Sequence, residues 1–410
     1  MPEIRQTTSP VFSVQEIYET LNGKGCFPCT VPWTRLEERE LGGDFWFCCW
    51  IQKDLGTVRK NSPTSFLPLW NEEKARKIRD SYLKKDFFRY CPKDCVGFEN
   101  NAMGFYDYSQ EEFETFSDRF KENLFNVVAA VREKKEVIDA KPIRLKLHPT
   151  SICNLRCPMC NVHSAMPEEV GEAYKQTIDE LIPYLNDLNV FGGEPFFCKL
   201  SREIIFGETV RKNPQVHIST VTNGTMVHQK LLDQLSELRL GQFIFSVDSL
   251  SPEAFPQIRL GAKYENVMEN MERFIRYRDE GRLRVRQIGL SCSIQKLNHE
   301  EIPRIVEYCH ERNIDVQFSL IFGTSELYGL IPAVSESVKK GITKAEELHE
   351  DKIAHRLESI LYQLPGYEKR LKQLRFTDRL LNMLGKHRVM LFFQKHQGFK
   401  RFVKKILRLE

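Results

Sequence analysis

The chain has 410 residues with nearly balanced charge, 60 Lys and Arg against 56 Asp and Glu, for a net charge of +4. That length leaves room for two or three domains at ~100–200 residues each, and the charge balance singles out no acidic or basic partner. No run of ~18 apolar residues suits a membrane span. The start, Met-Pro-Glu-Ile-Arg-Gln-Thr-Thr, lacks the apolar stretch of an export signal. A soluble, cytoplasmic protein is the expectation. Twelve cysteines are many for such a chain, and in a reducing compartment they read as metal ligands sooner than as disulfides.

In chain order, six cysteines come first: Cys26, Cys29, Cys48, Cys49, Cys91 and Cys95. A cysteine-free stretch follows, and from Gln110 to Glu136 it sets Phe113, Phe116, Phe120, Leu124, Val127, Val128 and Val131 at helical spacing among charges. This predicts a connecting helix. From Ile143 strands alternate with helices. The expected strands are Ile143–Leu147, Leu188–Phe191, Val216–Thr222, Phe243–Val247, Ile288–Ile294 and Val316–Phe322. Helical patterns lie between them, at Lys230–Leu240, Glu265–Arg278 and Ile302–Asn313.

Such alternation implies a parallel sheet, here a partial (β/α)6 TIM-like barrel of the α/β class. Each polar or glycine motif directly follows a strand, which places them together on one rim. After about residue 330 the pattern turns helical, and Lys386 to Glu410 carries eight Lys and Arg against one acid. The expected division is 1–105 cysteine-rich, 106–140 connecting helix, 141–325 barrel and 326–410 basic helical extension. The basic end reads as an amphipathic helix pair covering the barrel, or as a contact for an acidic partner, a nucleic acid or a membrane surface.

The most specific signal follows the first barrel strand. Cys153, Cys157 and Cys160 form Cys-x3-Cys-x2-Cys. Three thiolates hold three irons of a cubane and leave the fourth iron open, whereas structural zinc takes four ligands at other spacings. This run resembles the signature of the radical S-adenosylmethionine (radical SAM) superfamily. The resemblance implies a [4Fe–4S] cluster with an open iron and S-adenosylmethionine as cofactors. It further implies that Gly192-Gly193-Glu194-Pro195 holds the amino group of S-adenosylmethionine, with Ser246 (in Phe-Ser-Val-Asp-Ser) and Arg259 as further contacts and Asn223 on another rim signature. Read as residues alone, the glycines also suit a tight turn, Asn223-Gly224 a plain turn and Arg259 a surface helix.

The amino-terminal cysteines carry a second resemblance. Cys29-Thr-Val-Pro-Trp, the Gly43 hairpin ending in Cys48, Leu69-Trp70-Asn71 and Cys91-x3-Cys95 are similar to the twitch or SPASM auxiliary-cluster domains of many radical SAM enzymes. In most relatives that module follows the barrel, and here it precedes it. The resemblance implies a second [4Fe–4S] cluster on Cys29, Cys48, Cys91 and Cys95, with Cys49 as the alternative to Cys48 and no role for Cys26. A four-cysteine zinc knuckle stays open, as does a buried thiol cluster.

What the two resemblances imply together is an oxidoreductase. Reductive cleavage of S-adenosylmethionine gives a 5′-deoxyadenosyl radical, which abstracts hydrogen from a peptide side chain or small polar metabolite. The auxiliary cluster then accepts an electron. A flavodoxin or ferredoxin is the implied reductant. Two other readings stand beside it. One is a redox-neutral epimerase or isomerase with Cys198 as hydrogen donor, although a Cys beside Phe196 and Phe197 also suits plain packing. The other is a non-catalytic iron–sulfur sensor or nucleic-acid-binding protein. Cys292 and Cys309 read as packing residues.

Overall fold

The computed structural model describes residues 11–22, 27–39, 43–48, 51–58, 62–92, 95, 108–160, 171–321 and 325–384. Cys26, Cys49, Phe322, Gly323 and the basic stretch Lys386–Glu410 lie outside them. The described residues fall into two compact units. The first takes those within 1–156, 161–245 and 265–288. The second takes 157–160, 246–264 and those from 289 onward.

In the first unit, α1 (Val14–Leu21) starts from a capping box between Ser13 and Glu16, which satisfies peptide donors that the first turn leaves unpaired. Next come the short α2 (Val31–Thr34) and three strands, β1 (Arg35–Glu38), β2 (Asp44–Trp46) and β3 (Gly56–Thr57). A 3-10 turn (Leu67–Asn71) leads into α3 (Glu73–Leu83). The connecting helix expected from Gln110 is two helices, α4 (Gln110–Glu114) and α5 (Asp118–Arg132). Ser117 breaks it: its side chain accepts the Phe120 N–H and starts the second helix afresh. The predicted apolar stripe holds, with Phe120, Leu124, Val127, Val128 and Val131 all buried.

The strands β4 (Arg144–Leu147), β5 (Asp187–Val190), β6 (His217–Thr222) and β7 (Arg239–Ser246) follow, separated by α6 (Glu172–Leu181), α7 (Lys199–Ile205), α8 (Glu208–Arg211) and α9 (Gln229–Leu235). They run parallel in the order β4-β5-β6-β7. One face of this sheet is apolar, where Leu145 is paired with Leu188, Leu188 with Ile218, and Ile218 with Leu240. The expected helix over Lys230–Leu240 stops at Leu235 because Arg239-Leu-Gly-Gln-Phe-Ile-Phe alternates and belongs to β7, four residues before the predicted start. After α10 (Phe255–Ile258) and α11 (Tyr264–Asp279), β8 (Arg284–Ile294) likewise begins four residues early, its Arg-Val-Arg-Gln alternation lying half-exposed.

Unexpectedly from sequence, β1 adds a parallel strand beside β4, so the cysteine-rich segment extends the same sheet, with β2 and β3 continuing it antiparallel. β1 reads Arg-Leu-Glu-Glu, yet all four residues are buried. Ion pairs compensate the charge: Glu37 meets Arg35 and Lys146, each at 2.9 Å. Glu38 accepts the His148 peptide N–H and the Tyr174 hydroxyl.

β8 begins in the first unit, and its Gly289–Ile294 stretch belongs to the second, where it pairs parallel with β9 (Asp315–Leu320). The second unit also holds α10 and three longer helices, α12 (Ile302–Glu311), α13 (Ile331–Glu347) and α14 (Asp351–Leu384). Asp315 anchors Arg356 of α14 at 2.5 Å. The chain is thus α/β, with parallel strands alternating with helices and a helical extension, as expected. No helix among the described residues is long and apolar enough to cross a membrane.

Candidate active site

The four amino-terminal cysteines come from four places in the chain, after α1, after β2, after α3 and four residues beyond. All four are buried and none is in a disulfide. Cys29, Cys48 and Cys91 lie around Tyr82 on α3, and Cys95 is a neighbour of Cys29 and Cys91. The Tyr82 hydroxyl lies 3.2 Å from Cys91 Sγ, and Cys29 and Cys48 are close enough to act on it electrostatically. Burial pushes the Cys29 thiol up to about 12, opposed by the Val31 peptide N–H and reinforced by Cys91 and Cys95. Burial likewise raises Cys91.

Among the described residues no trio of His, Cys, Asp or Glu side chains is closed around a single-ion position. Metal binding at these thiols would release their protons. The donor set fits a soft metal centre: four sulfurs, desolvated, with two donors aimed at them.

The motif residues around these thiols clamp the segment that feeds β4. Trp33 donates its indole N–H to Lys135 O at 2.8 Å, and Trp70 donates to Ala140 O at 2.9 Å. Asn71 exchanges hydrogen bonds with the Ile138 peptide. Arg79, fully buried, donates to the carbonyls of Pro32, Trp70 and Glu136. These residues join the cysteine-rich segment to the start of the barrel.

The central cysteine loop leaves β4 at Leu147. His148 stacks on Phe191, the residue after β5, with ring centroids 4.6 Å apart. Beyond Phe191 the chain presses onto the loop so closely that only glycine fits. A Cβ on Gly192 would sit 1.5 Å from His148 Cδ2, and one on Gly193 would sit 2.1 Å from Ile152 O, and both have positive φ. The Glu194 N–H donates to Ile152 O at 2.9 Å. The Glu194 carboxylate is wholly buried and works within the protein, accepting the Thr222 hydroxyl and the Asn223 N–H, each at 2.7 Å.

Asn223 then reaches the cysteine loop. Its Nδ2 donates to Asn154 Oδ1 at 2.9 Å and lies 3.8 Å from Cys153 Sγ. The Leu155 N–H also points at that sulfur, at 3.4 Å. Thr225 closes the ring by donating to Asn223 Oδ1 and accepting from Asn154. Two N–H donors on Cys153 favour its thiolate, the form a metal requires.

In the second unit, Cys157 and Cys160 form a tight turn, the Cys160 N–H bonding to Cys157 O at 3.0 Å. Arg259 sits beside Cys157. Burial raises that thiol, and the guanidinium, hydrogen-bonded to the sulfur, opposes the rise. Arg259 also pairs with the fully buried Asp248 at 2.5 Å, and Asp248 is fixed by the Ser293 N–H at 2.8 Å. Ser246 is half-exposed at the end of β7.

Cys198 is buried at the start of α7, its N–H bonded to Glu194 O. Cys292 is buried and donates to Asp248 O at 3.4 Å, and Cys309 is buried on α12. Sequence reasoning missed Tyr82 and Asn154 as neighbours of sulfur and Thr225 as the residue that ties Asn154 to Asn223. Asn154 and Thr225 each adjoin a singled-out residue, whereas Tyr82 carries no signal beyond its place on an apolar helix face.

Residues 147–283 match the family description "Radical SAM superfamily". The chain is 28% identical over 196 residues to a GTP 3′,8-cyclase of Vibrio cholerae, covering 45% of this chain and 56% of that one. It is 29% identical over 249 residues to the tungsten-containing aldehyde ferredoxin oxidoreductase cofactor-modifying protein of Pyrococcus furiosus, covering 57% and 65%. The chain thus spans less than two thirds of either relative. Among solved structures, SuiB of Streptococcus suis bound to S-adenosylmethionine aligns at a TM-score of 0.41 with 17% identity, over 66% of this chain and 60% of that one.

Proposed function

From the premise that this chain carries a radical SAM domain, we propose an enzyme in which Cys153, Cys157 and Cys160 hold a [4Fe–4S] cluster with one open iron. Its substrate is a peptide side chain or a small polar metabolite. The observation that carries this reading is the cysteine loop within the matched stretch 147–283. Around it, Leu155 N–H and Asn223 donate to Cys153, and Arg259 lies on Cys157. These are cationic and N–H groups of the kind that stabilise thiolate charge. When bound, the cluster and S-adenosylmethionine supply a one-electron route to hydrogen abstraction, chemistry that belongs to the cofactors.

The protein's own share is to hold and orient. Gly192 and Gly193 let the chain after β5 lie directly on the cysteine loop. Glu194 fixes the Thr222–Asn223 turn, which in turn holds Asn154 and Thr225. Asp248 holds Arg259. S-adenosylmethionine would be held by the Gly192–Glu194 segment with Asn223, and by Ser246 and Arg259. Glu194 and Arg259 then act partly through the groups they already fix.

Cys29, Cys48, Cys91 and Cys95 would hold a second [4Fe–4S] cluster, which would supply a one-electron acceptor for the substrate radical, with residues 1–105 as the auxiliary module. A small ferredoxin or flavodoxin serves as reductant. The test is 5′-deoxyadenosine release from the anaerobically reconstituted protein. Cys157→Ala is expected to reduce it to background, and release at the wild-type rate would refute the reading.

A further inference from the structure

We infer that Tyr82 is a positioning residue of the amino-terminal thiol site, donating its hydroxyl hydrogen to sulfur and raising the reduction potential of the cluster bound there. The inference rests on the reading of Cys29, Cys48, Cys91 and Cys95 as cluster ligands. Tyr82 is 2% exposed. Its hydroxyl meets Cys91 Sγ at 3.2 Å, and Cys29 lies near enough to act on it electrostatically.

Three rings hold the phenol in place. Trp33 and Phe27 meet it edge-on with centroids 5.8 and 6.3 Å away, and Phe87 does so at 5.3 Å. A buried tyrosine hydroxyl ordinarily finds a carbonyl or carboxylate. Here α3 delivers it to thiols, whose sulfurs are weak acceptors until they are deprotonated. The bond therefore strengthens when the thiols become metal-bound thiolates, and again when the cluster gains an electron and its sulfurs gain charge.

A donor that interacts more strongly with the reduced state draws the couple toward reduction. Hydrogen bonds to the sulfurs are among the established determinants of cluster potential. Burial adds to the effect, because little water is present to screen the dipole. Tyr82 thus favours electron acceptance at this site.

The test uses the full chain carrying Cys153/Cys157/Cys160→Ala, so that only the amino-terminal site binds metal, with and without Tyr82→Phe. Metal content is measured after anaerobic reconstitution, and the cluster is titrated by EPR. Phe keeps the ring packing, and a thermal melt confirms that it does. The expected result is about four irons per chain in both proteins. In the Phe variant, the oxidised-to-reduced ratio at the parent midpoint should rise by about two- to tenfold, the range one hydrogen bond supplies.

In protein reconstituted in D2O, the parent should also show an exchangeable deuteron coupling to the reduced cluster that the Phe variant lacks. Iron bound equally with an unchanged midpoint and an unchanged deuteron coupling would overturn the role of Tyr82 while leaving the cluster reading intact. Zinc, or no metal, in the Tyr82-containing protein would overturn the cluster reading and the inference with it.

Discussion

The two thiol sites are built on opposite plans. At the amino-terminal site all four cysteines are buried, and the Tyr82 phenol, itself packed among aromatic rings, meets Cys91. In the central loop Cys153 and Cys160 are half-exposed and only Cys157 is buried. Their neighbours are amides, an arginine and main-chain N–H groups. Four enclosed ligands suit a saturated centre that exchanges electrons with its surroundings. Three partly open ones suit a centre that must admit another molecule, the difference between closed structural and open catalytic metal sites. The contrast lies in burial more than in cysteine count.

The sharpest way to break this contrast is to remove one ligand from the closed site. Cys29→Ala is expected to lower iron by about four atoms per chain while uncoupled cleavage of S-adenosylmethionine continues. Loss of that cleavage together with the iron, in protein that still melts cooperatively, would show that the sites are not separate.

A smaller effect is expected at the open site's support. Arg259→Met leaves Asp248 buried without its partner and should cost about 3–5 kcal/mol of stability in a denaturant melt. A cost near zero would mean that the buried pair contributes nothing to the fold. Asp248→Asn with Arg259 intact should fall in the same range.

Next comes a pH effect in the first unit. His217 at the start of β6 is held down to about 4 by burial and by Arg286. Its folded value lies below its unfolded value near 6.5, so the unfolded chain binds the extra proton between those two pH values. Its contribution is complete above pH 6.5 and is lost as pH falls toward 4, about 3 kcal/mol in all. His217→Asn should flatten that part of the stability–pH curve.

The smallest effect is Glu194→Gln. It keeps one acceptor oxygen but turns an amide toward the Thr222 hydroxyl or the Asn223 N–H. The expected cost is about 1–3 kcal/mol, with Asn223 loosened from Cys153 and iron retention reduced.

Much of the fold was legible because its strands are short apolar runs ending in polar or glycine residues. β4, β5 and β6 lie within a residue of the positions read from the pattern, and β9 starts one residue before its predicted Val316. The misses share one physical cause. β1, Arg35-Leu-Glu-Glu38, shows no apolar alternation, and the groups that satisfy its carboxylates, Lys146, Tyr174 and the His148 N–H, lie more than a hundred residues away. The early starts of β7 and β8 are likewise polar alternations whose partners lie far along the chain.

In the candidate site, spacing marked the cysteines and glycines but not what the glycines touch. Gly192 and Gly193 are glycine because His148 and Ile152 occupy the space of a side chain. Tyr82 was invisible because a tyrosine on an apolar helix face looks the same whether it meets a carbonyl or a thiol.

The most direct test of the two-site account is the EPR spectrum of the reduced, reconstituted protein with and without S-adenosylmethionine, in the wild type and in Cys153/Cys157/Cys160→Ala. The account predicts two cluster signals, one of which changes when S-adenosylmethionine is added, and the triple variant should lose that signal and keep the other unaltered. A triple variant that still responds to S-adenosylmethionine, or that retains no cluster signal, would contradict it.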